Sequence, residues 1–93
     1  MKRETLYLLG ELGDNWKTVA KNLTMLGCKG DSKFTTCPVA VYLRRHDISA
    51  RVCNAWARVY DKNRVLHEVT LPLPVAKFVT TFDGGDFPEL ELP

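Results

Sequence analysis

Ile48-Ser-Ala-Arg-Val-Cys-Asn-Ala-Trp-Ala-Arg-Val-Tyr60 is followed, past Asp61-Lys62-Asn63-Arg64, by Val65-Leu-His-Glu-Val-Thr-Leu71. Both runs are rich in β-branched and aromatic residues, the composition of strands. Asp61-Lys62-Asn63 reads as a hairpin turn, with Asn63 tolerating a left-handed backbone. The register stays open. A three-residue loop sets Cys53, Ala55, Ala57 and Val59 opposite Leu71, Val69, His67 and Val65; a two-residue loop sets Trp56 and Tyr60 opposite Val69 and Val65. A slip of one residue exchanges the faces. Bulk favours burial of Trp56. Whichever face packs inward, the other keeps large side chains: Trp56, Tyr60 and Leu66, or Val59, Val65 and Val69.

Toward the C-terminus, Leu71-Pro72-Leu73-Pro74 ends the second strand, because proline cannot extend a ladder. Pro74 suits a helix start, and Val75, Phe78, Val79 and Phe82 repeat at i, i+3, i+4 and i+7. Asp83-Gly84-Gly85 stops that helix, and Phe87, Leu90 and Leu92 follow among acids. Toward the N-terminus, Pro38 after Thr36-Cys37 marks another helix start. That helix buries Val39, Tyr42 and Leu43 and ends at Arg44, Arg45 and His46, cations suited to the negative end of its dipole. Val39 and Val41 leave a strand as the alternative. Residues 27–36 read as a loop. Leu9, Leu12, Trp16, Val19, Leu23 and Leu26 form one apolar seam, interrupted by Gly10 and Gly13. The seam predicts helices near 3–12 and 15–26, capped by Asp14 or Asn15 and closed by Gly27, or else one bent helix. It is too short for a partner zipper, so it belongs to an intramolecular core.

The 93 residues suit one domain, and the 45% hydrophobic and 26% charged fractions are those of a globular chain. No apolar run reaches the roughly 20 residues of a membrane helix, and the start lacks the pattern of a secretory signal. The cytoplasm is the expected compartment. Net charge is +2, but Asp83, Asp86, Glu89 and Glu91 give the tail −4 and leave +6 on the remainder. The sequence thus divides into an α+β domain at 1–82 and an acidic tail at 83–93.

Cys28, Cys37 and Cys53 are an odd set without a Cys-x-x-Cys pair, which suits free thiols in a reducing compartment. A zinc site drawn from Cys28, Cys37, His46 and Cys53 has the spacing of no common module, and a Cys28–Cys37 bridge is the other option.

Trp16-x-x-Val19-Ala20-x-x-Leu23, Gly27, Cys37-Pro38-Val39-Ala40-x-Tyr42-Leu43, Leu71-Pro72-Leu73-Pro74-x-Ala76 and Phe78-x-x-x-Phe82-Asp83-Gly84-x-x-Phe87-Pro88-x-Leu90 occur in that order. The ordered set resembles a pattern in small proteins of unknown function from actinobacteria and their phages. The resemblance implies a source class. It assigns no activity and places no residue in a catalytic role.

The residues themselves show no phosphate-binding glycine loop and no nucleophile elbow. Cys53 with His67 is the one Cys–His pair a hairpin register could bring together, and nothing polarises it. No catalytic residue, metal or cofactor is assigned, and the expected role is binding of a macromolecule. The element order of helices, a β-hairpin and a C-terminal helix is winged-helix-like. In that reading Arg44, Arg45, Arg51, Arg58, Lys62 and Arg64 meet the phosphates of DNA or RNA. Pro38 to Leu43, the recognition helix of such a reader, is nearly all apolar, and the net charge is low. The leading expectation is a protein partner docking on Trp56, Arg58, Tyr60 and Arg64, together with the acidic tail. A monomer is expected, or a homodimer joined through a strand edge or the 9–26 seam.

Overall fold

The computed structural model describes residues 2–60 and 63–91. Three helices come first: α1 (Lys2–Glu11), α2 (Trp16–Leu26) and α3 (Pro38–Arg45). Strands β1 (Ser49–Val52), β2 (Trp56–Tyr60) and β3 (Leu66–Thr70) follow, then α4 (Leu73–Asp83) and a 3-10 turn at Pro88–Leu90. The α+β class and the element order are those expected, with one strand more than the hairpin.

The N-terminal seam is two helices, not one bent helix. Gly13 lies between them at φ 143, a conformation that L side chains rarely adopt. Asn15 caps α2 by accepting the Thr18 amide at 2.9 Å, and Gly27 closes it at φ 69. Leu9, Leu12, Val19 and Leu23 are buried, so the seam is spent on this chain's own core. Leu26 at its end stays exposed.

Helix α3 is a helix throughout, and the strand alternative does not occur. Its N-cap is a sulfur: Cys37 Sγ accepts the Ala40 amide at 3.4 Å. Pro38, Val39, Ala40, Tyr42 and Leu43 are all buried, which leaves α3 little surface beyond Arg44 and Arg45.

The run from Ile48 to Tyr60 breaks into two antiparallel strands, β1 and β2. Cys53 makes the turn, its sulfur accepting the amides of Ala55 and Trp56 at 3.5 and 3.4 Å. The sheet order is β1-β2-β3. β2 pairs with β3 through Ala57↔Val69, Val59↔His67 and Tyr60↔Leu66, which is neither expected register. The connection spans positions 61–65 and so is longer than the expected turn; Asp61 and Lys62 lie outside the described residues.

This register sends Ala50, Val52, Ala57, Val59 and Val69 into the core. Trp56, expected inside on bulk, is on the opposite face and half-buried. The helices supply the bulk instead. Phe78, Leu9, Leu23 and Leu43 are fully buried, so the sheet contributes small side chains and can approach closely. Each such large side chain stabilises the fold by about 1.5–3 kcal/mol relative to exposure.

Val75, Phe78, Val79 and Phe82 are the buried face of α4, as their spacing predicts. The chain then turns back. Phe87 stacks on Phe78 with ring centroids 5.3 Å apart and meets the edge of Trp16 at 5.8 Å. Leu90 is fully buried. Its carbonyl accepts the Gly30 amide at 2.9 Å, and Glu91 forms a parallel bridge to Gly30. A Cβ on Gly30 would overlap the Thr36 carbonyl and the backbone of Cys37 and Pro38. Glycine is therefore required where the C-terminal segment crosses that loop. Among the described residues no helix is long and apolar enough to cross a membrane.

Candidate functional site

Alternation along a strand sends odd and even residues to opposite faces. With Ala57 and Val59 inward, Trp56, Arg58 and Tyr60 point outward, and their partners on β1 and β3 follow. Three cross-strand rows result. The first is Ser49–Tyr60–Leu66, the second Arg51–Arg58–Glu68, and the third has Trp56 opposite Thr70. Ser49, Arg51, Tyr60, Leu66, Glu68 and Thr70 are exposed and Trp56 and Arg58 half-buried, so among the described residues most of this face is open, with α1 reaching only its β3 edge at Lys2 and Leu6 beside Glu68 and Thr70.

Arg58 is the centre of the face. Its Nε donates to Glu68 Oε1 at 3.2 Å, the one ion pair between described residues. Its guanidinium carbon lies 4.2 Å from the centroid of the Trp56 ring. A cation over an indole face is attracted by the ring quadrupole, and both side chains are half-buried. The pair with Glu68 is exposed and contributes little to stability, of order 0.2–1 kcal/mol. On its other side Arg58 faces Arg51, and among the described residues no carboxylate pairs with Arg51. Directly opposed like charges on neighbouring strands are unfavourable. The middle row thus carries a surplus positive charge.

Of the expected partner-binding residues, Trp56, Arg58 and Tyr60 share this face. Arg64 sits in the connection beyond Tyr60 and Leu66, with a left-handed backbone at φ 60. Leu66 and Glu68 complete the surface; once the register is known, strand alternation finds both.

The six cations of the nucleic-acid reading do not form one cluster of free charges. Arg44 donates to the Thr35 carbonyl at 2.7 Å. Arg45 donates to the carbonyls of Leu26 and Gly27, the latter at 3.1 Å, and so ties the ends of α2 and α3 together. Arg58 is engaged as described, Arg51 is exposed, and Lys62 lies outside the described residues.

The acids Asp83 and Glu91 line a cleft with Asp31, away from the sheet face. Burial raises the Asp83 carboxyl above its usual range. Hydrogen bonds from Thr36 and from the Lys33 amide lower that of Asp31. Leu92 lies outside the described residues.

The three thiols are free, and among the described residues no three His, Cys, Asp or Glu side chains converge as metal ligands would. Burial pushes the Cys37 thiol up to about 11 and also raises that of Cys28, against the pull of Arg45. Cys53 and His67 are not brought together. Cys53 turns the chain beside Trp56, whereas His67 pairs with Val59, roughly 10 Å further along the strands.

A second open groove, of about 410 Å³, runs between α1, α2 and α3 past Met25 and Leu26. Two of its polar groups are spent on backbone: the Asn22 amide donates to the Leu12 carbonyl and the Tyr42 hydroxyl to that of Leu8, both at 2.7 Å. No protein-family model, curated protein or solved structure matches the chain.

Proposed function

We propose that the protein is a non-catalytic docking module that presents the open face of its sheet to a protein partner. The supporting observation is the largely open outer face, where Tyr60 and Leu66 lie beside an arginine already held against Trp56. Exposed aromatics with pre-positioned arginines are the composition of interface hot spots. The six cations suit a phosphate backbone less well. Arg44 and Arg45 bond back to carbonyls, Glu68 sits within the face, and α3 is sunk in the core. The free thiols support a reducing compartment, which fits a cytoplasmic factor of the actinobacterial or phage type.

The test is selection of a random displayed peptide library on the full chain, beside anisotropy with labelled duplex and single-stranded DNA. The expected result is peptides of about micromolar Kd that weaken tenfold or more on Tyr60→Ala. No enriched peptide, with DNA binding that falls steeply with salt, would replace this reading with the nucleic-acid one.

A further inference from the structure

The middle row of the sheet face specifies the chemistry of the partner. Arg51 and Arg58 are direct cross-strand neighbours, so their Cβ atoms lie about 5 Å apart. That separation lets one carboxylate accept hydrogen bonds from both guanidinium groups. Glu68 occupies the other side of Arg58, bonded through Nε alone, which leaves the terminal N–H groups of Arg58 without a partner among the described residues. Arg51 is exposed and has no acid opposite it. The row therefore reads plus, plus, minus, and a further carboxylate at Arg51 completes it. Next to it along the strands, Tyr60 and Leu66 form an exposed apolar pair.

We propose that the sheet face binds an acidic peptide segment, its carboxylate seated between Arg51 and Arg58 and an adjoining apolar side chain laid on Tyr60 and Leu66. This rests on the docking reading above and names the partner's chemistry. Size supports a segment over a second folded copy. Three strands of four or five residues give a face roughly 15 by 17 Å, well short of the ~800 Å² per partner of a standard interface. This chain's own acidic segment does not reach the face, because Leu90 is buried and Glu91 is bridged to Gly30. A carboxylate is preferred to a phosphate chain for two reasons: Glu68 would repel successive phosphates, and Arg58 already covers the Trp56 ring on which a base would stack.

The same peptide selection tests this, read by sequence. Enriched peptides carry Asp or Glu beside an apolar residue, and replacing that acid by its amide weakens binding to the wild-type chain about tenfold. Arg51→Gln abolishes the discrimination, so that acid and amide peptides bind it equally. Glu68→Gln, which frees Arg58, tightens the acidic peptide severalfold. Enriched peptides without acids, or acidic ones indifferent to Arg51→Gln, overturn the inference, and loss of binding on Tyr60→Ala then shows that docking on the face survives it. Indifference to Tyr60→Ala as well overturns docking itself. Displacement of the peptide by single-stranded oligothymidylate makes nucleic acid the occupant. Concentration-dependent dimerisation lost in Arg51→Glu makes it a second copy.

Discussion

The two faces of the sheet are built from the same strands to opposite rules. Inward, Ala50, Val52, Ala57, Val59 and Val69 are small, apolar and closed by helices. Outward, Arg51, Trp56, Arg58, Tyr60 and Glu68 are large and polar or aromatic, and all are exposed or half-exposed. Small residues inside let the helical layer approach, so the space is filled by Phe78 and the leucines. Large residues outside add little to that core. The inner face should therefore govern stability, and the outer face binding.

The largest test of that division is on the inner side. Phe78→Ala should cost about 3–5 kcal/mol, read as a lower denaturant midpoint; a cost below ~1 kcal/mol would mean that the helical layer is loosely packed.

Burial of Cys37 makes a smaller, pH-dependent contribution. Its thiol rises from 9.0 to about 11 in the folded chain, so the unfolded chain releases that proton first. The contribution is intact below about pH 9, declines above it, and amounts to roughly 2–3 kcal/mol of lost stability beyond pH 11. The gap between wild type and Cys37→Ser should narrow over that window. A constant gap would show that the thiol is solvated.

Ala57→Leu would force a large side chain into the inner face and should cost about 1–3 kcal/mol, whereas Tyr60→Ser on the outer face should stay within about 0.5 kcal/mol. Equal costs would erase the comparison. The smallest effect is the coupling of Arg58 to Glu68, about 0.2–1 kcal/mol in a double-mutant cycle; a larger value would mean that the outer face also holds the fold together.

Much of this architecture is written locally. The α4 repeat, the proline at the start of α3 and the Asn15–Gly27 caps are signals within a turn or two of the residues they govern, and each marks its helix. The sheet is written less locally. Cys53-Asn54-Ala55 has no glycine or proline, so a continuous run of strand formers conceals the turn that sulfur and amides make there. The register depends on the β2–β3 connection and on which residues fit beneath the helices. Bulk points Trp56 inward, yet the buried positions of the sheet are held by alanine and valine while the helices supply the large buried side chains. The candidate face follows from that register. Trp56, Arg58 and Tyr60 are identifiable as a set from their alternate spacing, but the opposition of Arg51 to Arg58 needs β1 to be a separate strand.

The stack of Arg58 on Trp56 has an optical consequence. An indole's emission responds to the charge held over its ring. Trp56 has the guanidinium 4.2 Å from its centroid, while Trp16 has the ammonium groups of Lys17 and Lys77 at 5.5 Å. The two fluorophores stand on different surfaces, one on the sheet and one where α2 meets Phe87. A Trp16→Phe chain keeps a single lamp beneath Arg58. On the proposed binding, a carboxylate that draws the guanidinium off the ring should change that lamp's colour and brightness, a readout of occupancy that needs no dye.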